Sequence, residues 1–285
     1  MKRDEFRYVE KLRVRWAEID AQHIVFNGHY LMYFDTAIAG YWRALRLPYH
    51  ATMQALQGDL YVRKASLEYL GSARYDDALE VGVRCARIGS SSMQFSCAVL
   101  RQGKLLVPGE LIYVFADPTT QTAKPVPEKL RAVLMDFEAG ADMLRLEVGP
   151  WSECQSDALR VRTEVFSGEQ HLSNHLEFDE ADGTAVHVVA YNRLNVPLGS
   201  GRLYAVGEKL WRIGRVAVVA AIRNSGIGAL MLGRLLELAR GQGAERVVLS
   251  AQVSAQEFYS RAGFSAQGNQ FEEAGIAHLE MTKAL

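Results

Sequence analysis

The stretch HYLMYFDTAIAGYWRAL, His29 to Leu45, limits what this chain can fold into. At helical periodicity it is apolar on nearly every face, and such a helix has to be enclosed rather than laid on a surface. An antiparallel sheet curling around one central helix encloses it, and the neighbouring sequence supplies the strands. Tyr8 to Glu18 reads as a strand before the helix, which we place from about Gly28 to Leu45. A meander follows it: Leu60 to Leu70, Ala78 to Ile88, Ser92 to Arg101 and Leu105 to Asp117, with RIGSSS and RQGK as turn sequences. PVPEKLRAVLMDF reads as a short helix with Pro near its start.

The rhythm then changes. EAGAD, Glu138 to Asp142, is small and polar, and it predicts domains at 1–138 and 143–285 joined by a linker at 139–142. In the second half strands alternate with helices. Strands are expected at Met143–Val148, Val186–Asn192, Leu198–Ala205, Leu210–Val219 and Arg246–Ala251, with a strand-like end in GIAHLEMTKAL. Helices are expected at Glu153–Phe166, Gly226–Gly241 and Ala255–Ala262, giving a mixed α/β domain with its own core. A length of 285 residues accommodates two such domains.

Composition excludes several classes. Charged residues are 23% with a net charge of −1, so no nucleic-acid partner is expected, since phosphate binding needs clustered Lys and Arg. The basic run KLRVRW alternates with apolar residues and reads as one solvated face of a strand. Cys85, Cys97 and Cys154 form no CxxC pair, so neither a disulfide framework nor a zinc site is expected, and no metal is implied. No apolar run reaches membrane-spanning length and the N-terminal MKRDEF leads into no apolar core, so the expectation is a cytoplasmic protein without a membrane partner.

Asp20 lies just ahead of the apolar helix. Asn27 is a good N-cap residue, and Gly28 lets another group approach the backbone. The unpaired N–H groups of the first helical turn then face the loop carrying Asp20. A thioester carbonyl held by those donors would be polarised, and Asp20 could attack it or activate water. The plainer alternative is that Asp20 turns the chain, Asn27 caps and the helix is only core.

RVRWAEIDAQHIVFNGHYLMYFDTA resembles the start of hot-dog-fold acyl-CoA thioesterases of the 4-hydroxybenzoyl-CoA thioesterase type. Arg15 and Glu18 open the family's pattern, Asp20 falls on its catalytic acid, and Val25, Asn27 and Tyr30 follow in order. ASLEYLGSARYDDALEV resembles its central strand and acidic turn, with Glu68 and Asp77 in place. Over residues 8–135 the resemblance implies a hot-dog domain, active as a homo-oligomer of at least two chains, with sites at the subunit interface. It implies Asp20 as nucleophile or general base and the backbone N–H near Asn27 as holder of the thioester oxygen. His23 stands where Gly is usual, Ser72 replaces Pro, Asp76 replaces a common Gly, and Glu18 replaces the commoner Asp. We read His23 as a surface substitution rather than a recruited catalytic partner.

In RVAVVAAIRNSGIGALMLGRLLELA, Arg215 to Ala239, a strand runs through Arg223-Asn224-Ser225-Gly226-Ile227-Gly228 into a helix. Glycines and a helix N-terminus suit a pyrophosphate, although the same pattern can be a helix start chosen for packing. A dinucleotide site fits poorly: the third Gly of GxGxxG is missing, and Glu245 precedes the next strand rather than ending it. From about Met143 onward, VRTEVFSGEQ, EFDEADGTAVH, GSGRL, IGRVAV, AQVSAQEFYSRAGF and EAGIAHLEM resemble, in order, the GNAT acetyltransferase superfamily.

That resemblance implies acetyl-CoA as substrate. Arg223, Asn224, Ser225, Gly226, Ile227, Gly228 and Ala229 would hold its pyrophosphate, and the backbone at Val216, Ala217 and Val218 would pair with the pantetheine arm. It places Tyr259 where many members carry a general acid for the leaving thiolate; the alternative for Tyr259 is aromatic packing. Ala220 and Ala221 replace the usual Pro-Glu, Asn224 a frequent Gly, and Ala277 a Pro. The general base for the acceptor amine is not readable, with Glu169, Glu177, Asp179 and His187 as polar candidates on the acceptor side.

The sequence reading is an α+β hot-dog domain, an antiparallel sheet around a central helix, followed by a mixed α/β GNAT domain. Its functional expectation is acyl-CoA hydrolysis in the first and acetyl transfer to an unidentified amine in the second. Two rivals remain: a thioesterase regulated by a non-catalytic acetyl-CoA-binding module, and a GNAT enzyme carried on a hot-dog oligomerisation scaffold.

Overall fold

The computed structural model describes residues 1–169 and 178–285, and the chain divides into two units, Met1–Met143 and Leu144–Leu285. In the first unit, helix α1 (His29–Ala44) buries Tyr30, Tyr33, Phe34, Ala37, Ile38, Tyr41 and Trp42. Five strands carry it: β1 (Tyr8–Arg13), β2 (Asp59–Leu67), β3 (Ala78–Ile88), β4 (Ser92–Arg101) and β5 (Lys104–Ala116). They form one sheet in the order β1-β3-β4-β5-β2, every neighbouring pair antiparallel. Helix and sheet approach closely at Gly40, where a Cβ would fall 1.8 Å from the Tyr8 hydroxyl, so no larger residue fits. Helices α2 (Tyr49–Ala55) and α3 (Glu128–Glu138) complete the unit.

Three expectations are corrected here. The first strand stops at Arg13 rather than Glu18, because Val14 leaves the ladder to exchange hydrogen bonds with Asp76 N–H and Asp77 C=O, and Trp16–Glu18 tightens into a 3₁₀ turn. Helix α1 is not covered on all sides within one chain: Leu31 and Met32 are exposed, in line with Asp35 and Thr36. Helix α2 went unforeseen, its seven residues being too few to show a period.

The second unit holds a seven-stranded sheet in the order β11-β12-β10-β9-β8-β7-β6. Its strands are β6 (Leu144–Pro150), β7 (Val186–Asn192), β8 (Pro197–Ala205), β9 (Leu210–Val218), β10 (Arg246–Gln252), β11 (Ser265–Glu273) and β12 (Ile276–Ala284). Only β9 and β10 run parallel, joined by the crossover helix α5 (Ile227–Gly241), whose Met231, Leu232 and Leu235 enter the core. Helix α4 (Trp151–Arg162) ends before the expected Phe166 and passes into π-helical turns over Thr163–Glu169, and α6 (Gln256–Arg261) follows β10. Strand β11 was not expected: all nine of its residues are exposed, so no alternating pattern marks it.

Candidate functional site

In the first unit Asp20 opens a tight turn. Its Oδ1 accepts from Gln22 N–H at 2.8 Å and Ile24 N–H at 3.4 Å, and its carbonyl accepts from His23 N–H at 3.0 Å. Among the described residues, Oδ2 has no partner. The turn-forming and the chemical readings of Asp20 are therefore compatible, one oxygen serving each.

Glu18 anchors the turn from behind. It is 3% exposed, and its Oε2 accepts from Arg15 N–H and the Tyr33 hydroxyl while Oε1 accepts the Arg15 guanidinium at 2.6–2.7 Å. Burial alone would raise the pKa of this carboxyl, but those four donations outweigh it and hold the group below its ordinary value. Its backbone carbonyl accepts from Phe26 N–H, and Val25 N–H donates to Ala73 C=O, which closes the loop over the helix start.

Asn27 does not cap the helix. Gly28 takes the N-cap position with no side-chain cap, because the chain has already turned helical there (φ −65°, ψ −25°). The consequence favours chemistry: the backbone N–H groups of Asn27 and Gly28 meet no acceptor among the described residues. The Tyr69 hydroxyl donates to Asn27 C=O at 3.2 Å, and Ala73 N–H donates to the buried Tyr30 hydroxyl at 2.9 Å, so both ends of this turn are tied down. Asp20, Gln22, Asn27, Tyr30, Tyr69 and Ser72 line one cleft of about 500 Å³.

In the second unit β9 and β10 pair only over Leu210–Arg212 and Arg246–Val248. Beyond Arg212 they separate, leaving the β9 edge that carries Val216, Ala217 and Val218 without a β10 partner. The loop after β9 rises to α5 through Asn224 (φ 61°) and Gly226 (φ 87°). The backbone N–H groups of Ser225, Gly226, Ile227, Gly228 and Ala229 meet no acceptor among the described residues, an arrangement suited to an anion.

Arg223 is engaged within the protein. Its Nη1 and Nη2 donate to Glu169 Oε1 and Oε2 at 2.5 Å each, and its Nε donates to Val218 C=O at 2.9 Å. Tyr259 is 8% exposed, with its ring against Phe258 and Phe264, and burial pushes its hydroxyl up to about 12. Its hydroxyl has no hydrogen-bond partner among the described residues.

The acceptor-side candidates are otherwise occupied. Glu169 pairs with Arg223, whose hydrogen bonds hold its carboxyl low. Asp179 accepts both Nη atoms of Arg202 at 2.6 Å and Arg215 Nη2 at 2.9 Å. His187 is fully buried, its Nε2–H donating to Asp182 C=O and its Nδ1 accepting from Arg162, and burial lowers its pKa. Glu177 lies outside the described residues.

Residues 14–134 match the model of the thioesterase-like superfamily, and residues 152–285 match that of the acetyltransferase (GNAT) domain. The uncharacterized N-acetyltransferase YjcF of Bacillus subtilis is 34% identical over 128 residues, covering 45% of this chain and 90% of that protein. The acyl-CoA thioester hydrolase YbgC of Escherichia coli O157:H7 is 26% identical over 125 residues, covering 42% of this chain and 90% of YbgC. A crystal structure of an acyl-CoA N-acyltransferase from Pseudomonas aeruginosa shares 31% identity, with a TM-score of 0.45 over 50% of this chain and 99% of its own.

The chain is a thioesterase-like domain joined to a GNAT acetyltransferase domain. Both families use CoA thioesters. In the thioesterase-like domain, two departures from the family pattern share one backbone cause. His23 (φ 59°) and Asp76 (φ 68°) adopt the left-handed conformation for which Gly is the usual choice, as does Asn224 (φ 61°) in the GNAT domain. His, Asp and Asn are the non-glycine residues that reach this region most often. His23 is exposed and makes its turn contact through the backbone.

Sequence reasoning missed Tyr69, which fixes the carbonyl of the peptide whose N–H is Gly28, although it lies within the matched block ASLEYLGSARYDDALEV. Glu18 was noticed only as an opening residue of the pattern. A hydroxyl fifteen residues later reaching back to it leaves no local signal.

Proposed function

We propose that the thioesterase-like domain hydrolyses acyl-CoA thioesters at the Asp20 cleft and that the GNAT domain transfers acetyl from acetyl-CoA to an amine. One observation carries the hydrolase reading: two adjacent unpaired backbone N–H groups, Asn27 and Gly28, in the same cleft as a carboxylate with one unengaged oxygen. The donors hold the thioester oxygen as it gains charge, and Asp20 Oδ2 acts on the carbonyl carbon or on a water beside it. Oδ1 stays with the turn and keeps the group oriented.

In the GNAT domain, the row of N–H groups from Ser225 to Ala229 receives the pyrophosphate, and the open β9 edge at Val216–Val218 receives the pantetheine arm. The loop arginine, Arg223, reaches the phosphates after exchanging its Glu169 partner. Tyr259 protonates the departing thiolate. The thioesterase-like domain is expected to work as a homo-oligomer in the cytoplasm.

The test is thiol release from short, long and aromatic acyl-CoAs, alongside calorimetric binding of acetyl-CoA. Release from at least one thioester supports the hydrolase. No release from any, with acetyl-CoA still bound, leaves a GNAT protein on a hot-dog scaffold.

A further inference from the structure

On the face of the second unit's sheet opposite Leu279 and Met281, which enter the core, strand β12 presents His278 and Glu280. Both are half-buried. Their register partners on β10 are Gln252 and Ser250, in the half of β10 that has parted from β9. One side chain shows that the three strands share this face. Arg212, the last β9 residue before the strands separate, donates through Nη1 to Ser250 Oγ at 3.1 Å and through Nη2 to Glu280 Oε2 at 3.2 Å.

The state of His278 follows from its neighbour. Its Nδ1 lies 2.8 Å from Ile276 C=O, and a carbonyl only accepts, so the ring proton sits on Nδ1. In the neutral ring Nε2 then carries the lone pair, and it has no partner among the described residues. The ring is stacked on Phe271, with centroids 6.0 Å apart and planes 25° apart, which fixes its direction. Glu280 uses Oε2 for Arg212, and its Oε1 has no partner among the described residues. A fixed basic nitrogen and a carboxylate two residues apart on one strand face, one strand from the β9–β10 gap, form an arrangement for a cation that must lose a proton.

We propose that this face is the acceptor site, that its substrate is a primary amine bound as its ammonium by Glu280, and that His278 is the general base. The inference rests on the reading that the GNAT domain transfers an acetyl group. His278 Nε2 takes one ammonium proton, and the nitrogen lone pair freed by it forms the C–N bond to the thioester carbon. The C–S bond breaks and the thiolate takes a proton from Tyr259. The second nitrogen proton leaves through solvent, which reprotonates Tyr259, and the products are the N-acetylamine, free CoA and one proton. Glu169, Asp179 and His187 are already engaged elsewhere and are not needed as bases.

The test uses the full chain carrying Asp20→Asn, so that thioester hydrolysis does not obscure transfer. Acetyl-CoA is supplied with lysine, spermidine or tyramine, and N-acetylated product is read by mass spectrometry. His278→Ala is expected to lower kcat about 10²–10⁴-fold with the KM for acetyl-CoA unchanged, and added imidazole is expected to restore part of the rate. His278→Asn, which keeps a planar group against Phe271, is expected to lose the rate equally, and Glu280→Gln to raise the amine KM about tenfold. A His278→Asn protein that binds acetyl-CoA and retains the parent kcat overturns the assignment. If the parent binds acetyl-CoA and acetylates none of the three amines, the transferase reading itself falls and the acceptor site falls with it.

Discussion

The Tyr33 hydroxyl donates to Glu18 Oε2 at 2.7 Å, joining the second turn of α1 to the loop that presents Asp20. Because Glu18 is almost wholly buried, each donor lost leaves part of a charge uncompensated. Tyr33→Phe should cost about 1–3 kcal/mol in urea unfolding of the first unit. The pH dependence has a defined sign. Glu18 is held low in the folded state, so its contribution is complete above the ordinary Glu pKa and is lost as pH falls through the lowered value. The Tyr33→Phe penalty should therefore shrink on acidification, and a penalty independent of pH would contradict the account.

His23 sits at φ 59° on an exposed turn and bonds only through its backbone N–H among the described residues. His23→Gly removes the left-handed strain and should stabilise by about 1 kcal/mol or less, with thioester hydrolysis unchanged. A large loss of turnover in that variant would make His23 a catalytic partner.

Asp182 is 1% exposed among Arg162, Arg202 and His187. Burial would raise its pKa, but the two arginines outweigh that and hold it ionised. Asp182→Asn takes one counter-charge from the buried Arg162 and Arg202, of which Arg202 keeps Asp179, and should cost about 3–5 kcal/mol in the second unit. His187, whose pKa burial depresses, adds to acid lability: its contribution is present above the ordinary imidazole value of about 6.5 and drains away as pH falls. Thermal unfolding from pH 8 to pH 5, with and without His187→Asn, measures that share.

Arg223 cannot hold Glu169 in a bidentate pair and also reach a pyrophosphate. The pair is partly exposed, so its release costs little. Glu169→Gln should tighten acetyl-CoA binding about two- to fivefold by calorimetry. Weaker binding in the variant would mean that Glu169 orients Arg223 for the ligand.

Where a strand buries at least one whole face, its limits were legible in the chain. Strands β3, β4 and β7 coincide with the expected Ala78–Ile88, Ser92–Arg101 and Val186–Asn192. Strand β11 was invisible because SAQGNQFEE buries nothing and owes its conformation to pairing with β12. Order along the chain foretold that Asp20 would lie by the helix start at Asn27 and that the Gly226 loop would lead into a helix, and the structure has both arrangements. It could not show that Asp20 divides its two oxygens between turn and cleft, or that Arg223 meets Glu169. Those facts depend on side chains brought together from 2 to 54 positions apart. His278 and Glu280 were in view within EAGIAHLEM, but the separation of β9 from β10 that gives them a role is a property of the sheet.

The central claim, that Asp20 Oδ2 performs thioester hydrolysis while Oδ1 holds the turn, is tested most directly by Asp20→Asn. Asparagine keeps an acceptor for Gln22 and Ile24 N–H, so folding and melting temperature should match the wild type. Thiol release from the preferred acyl-CoA should fall about 10²–10⁴-fold in kcat. Hydrolysis that continues at the wild-type rate in a folded Asp20→Asn protein would contradict the account.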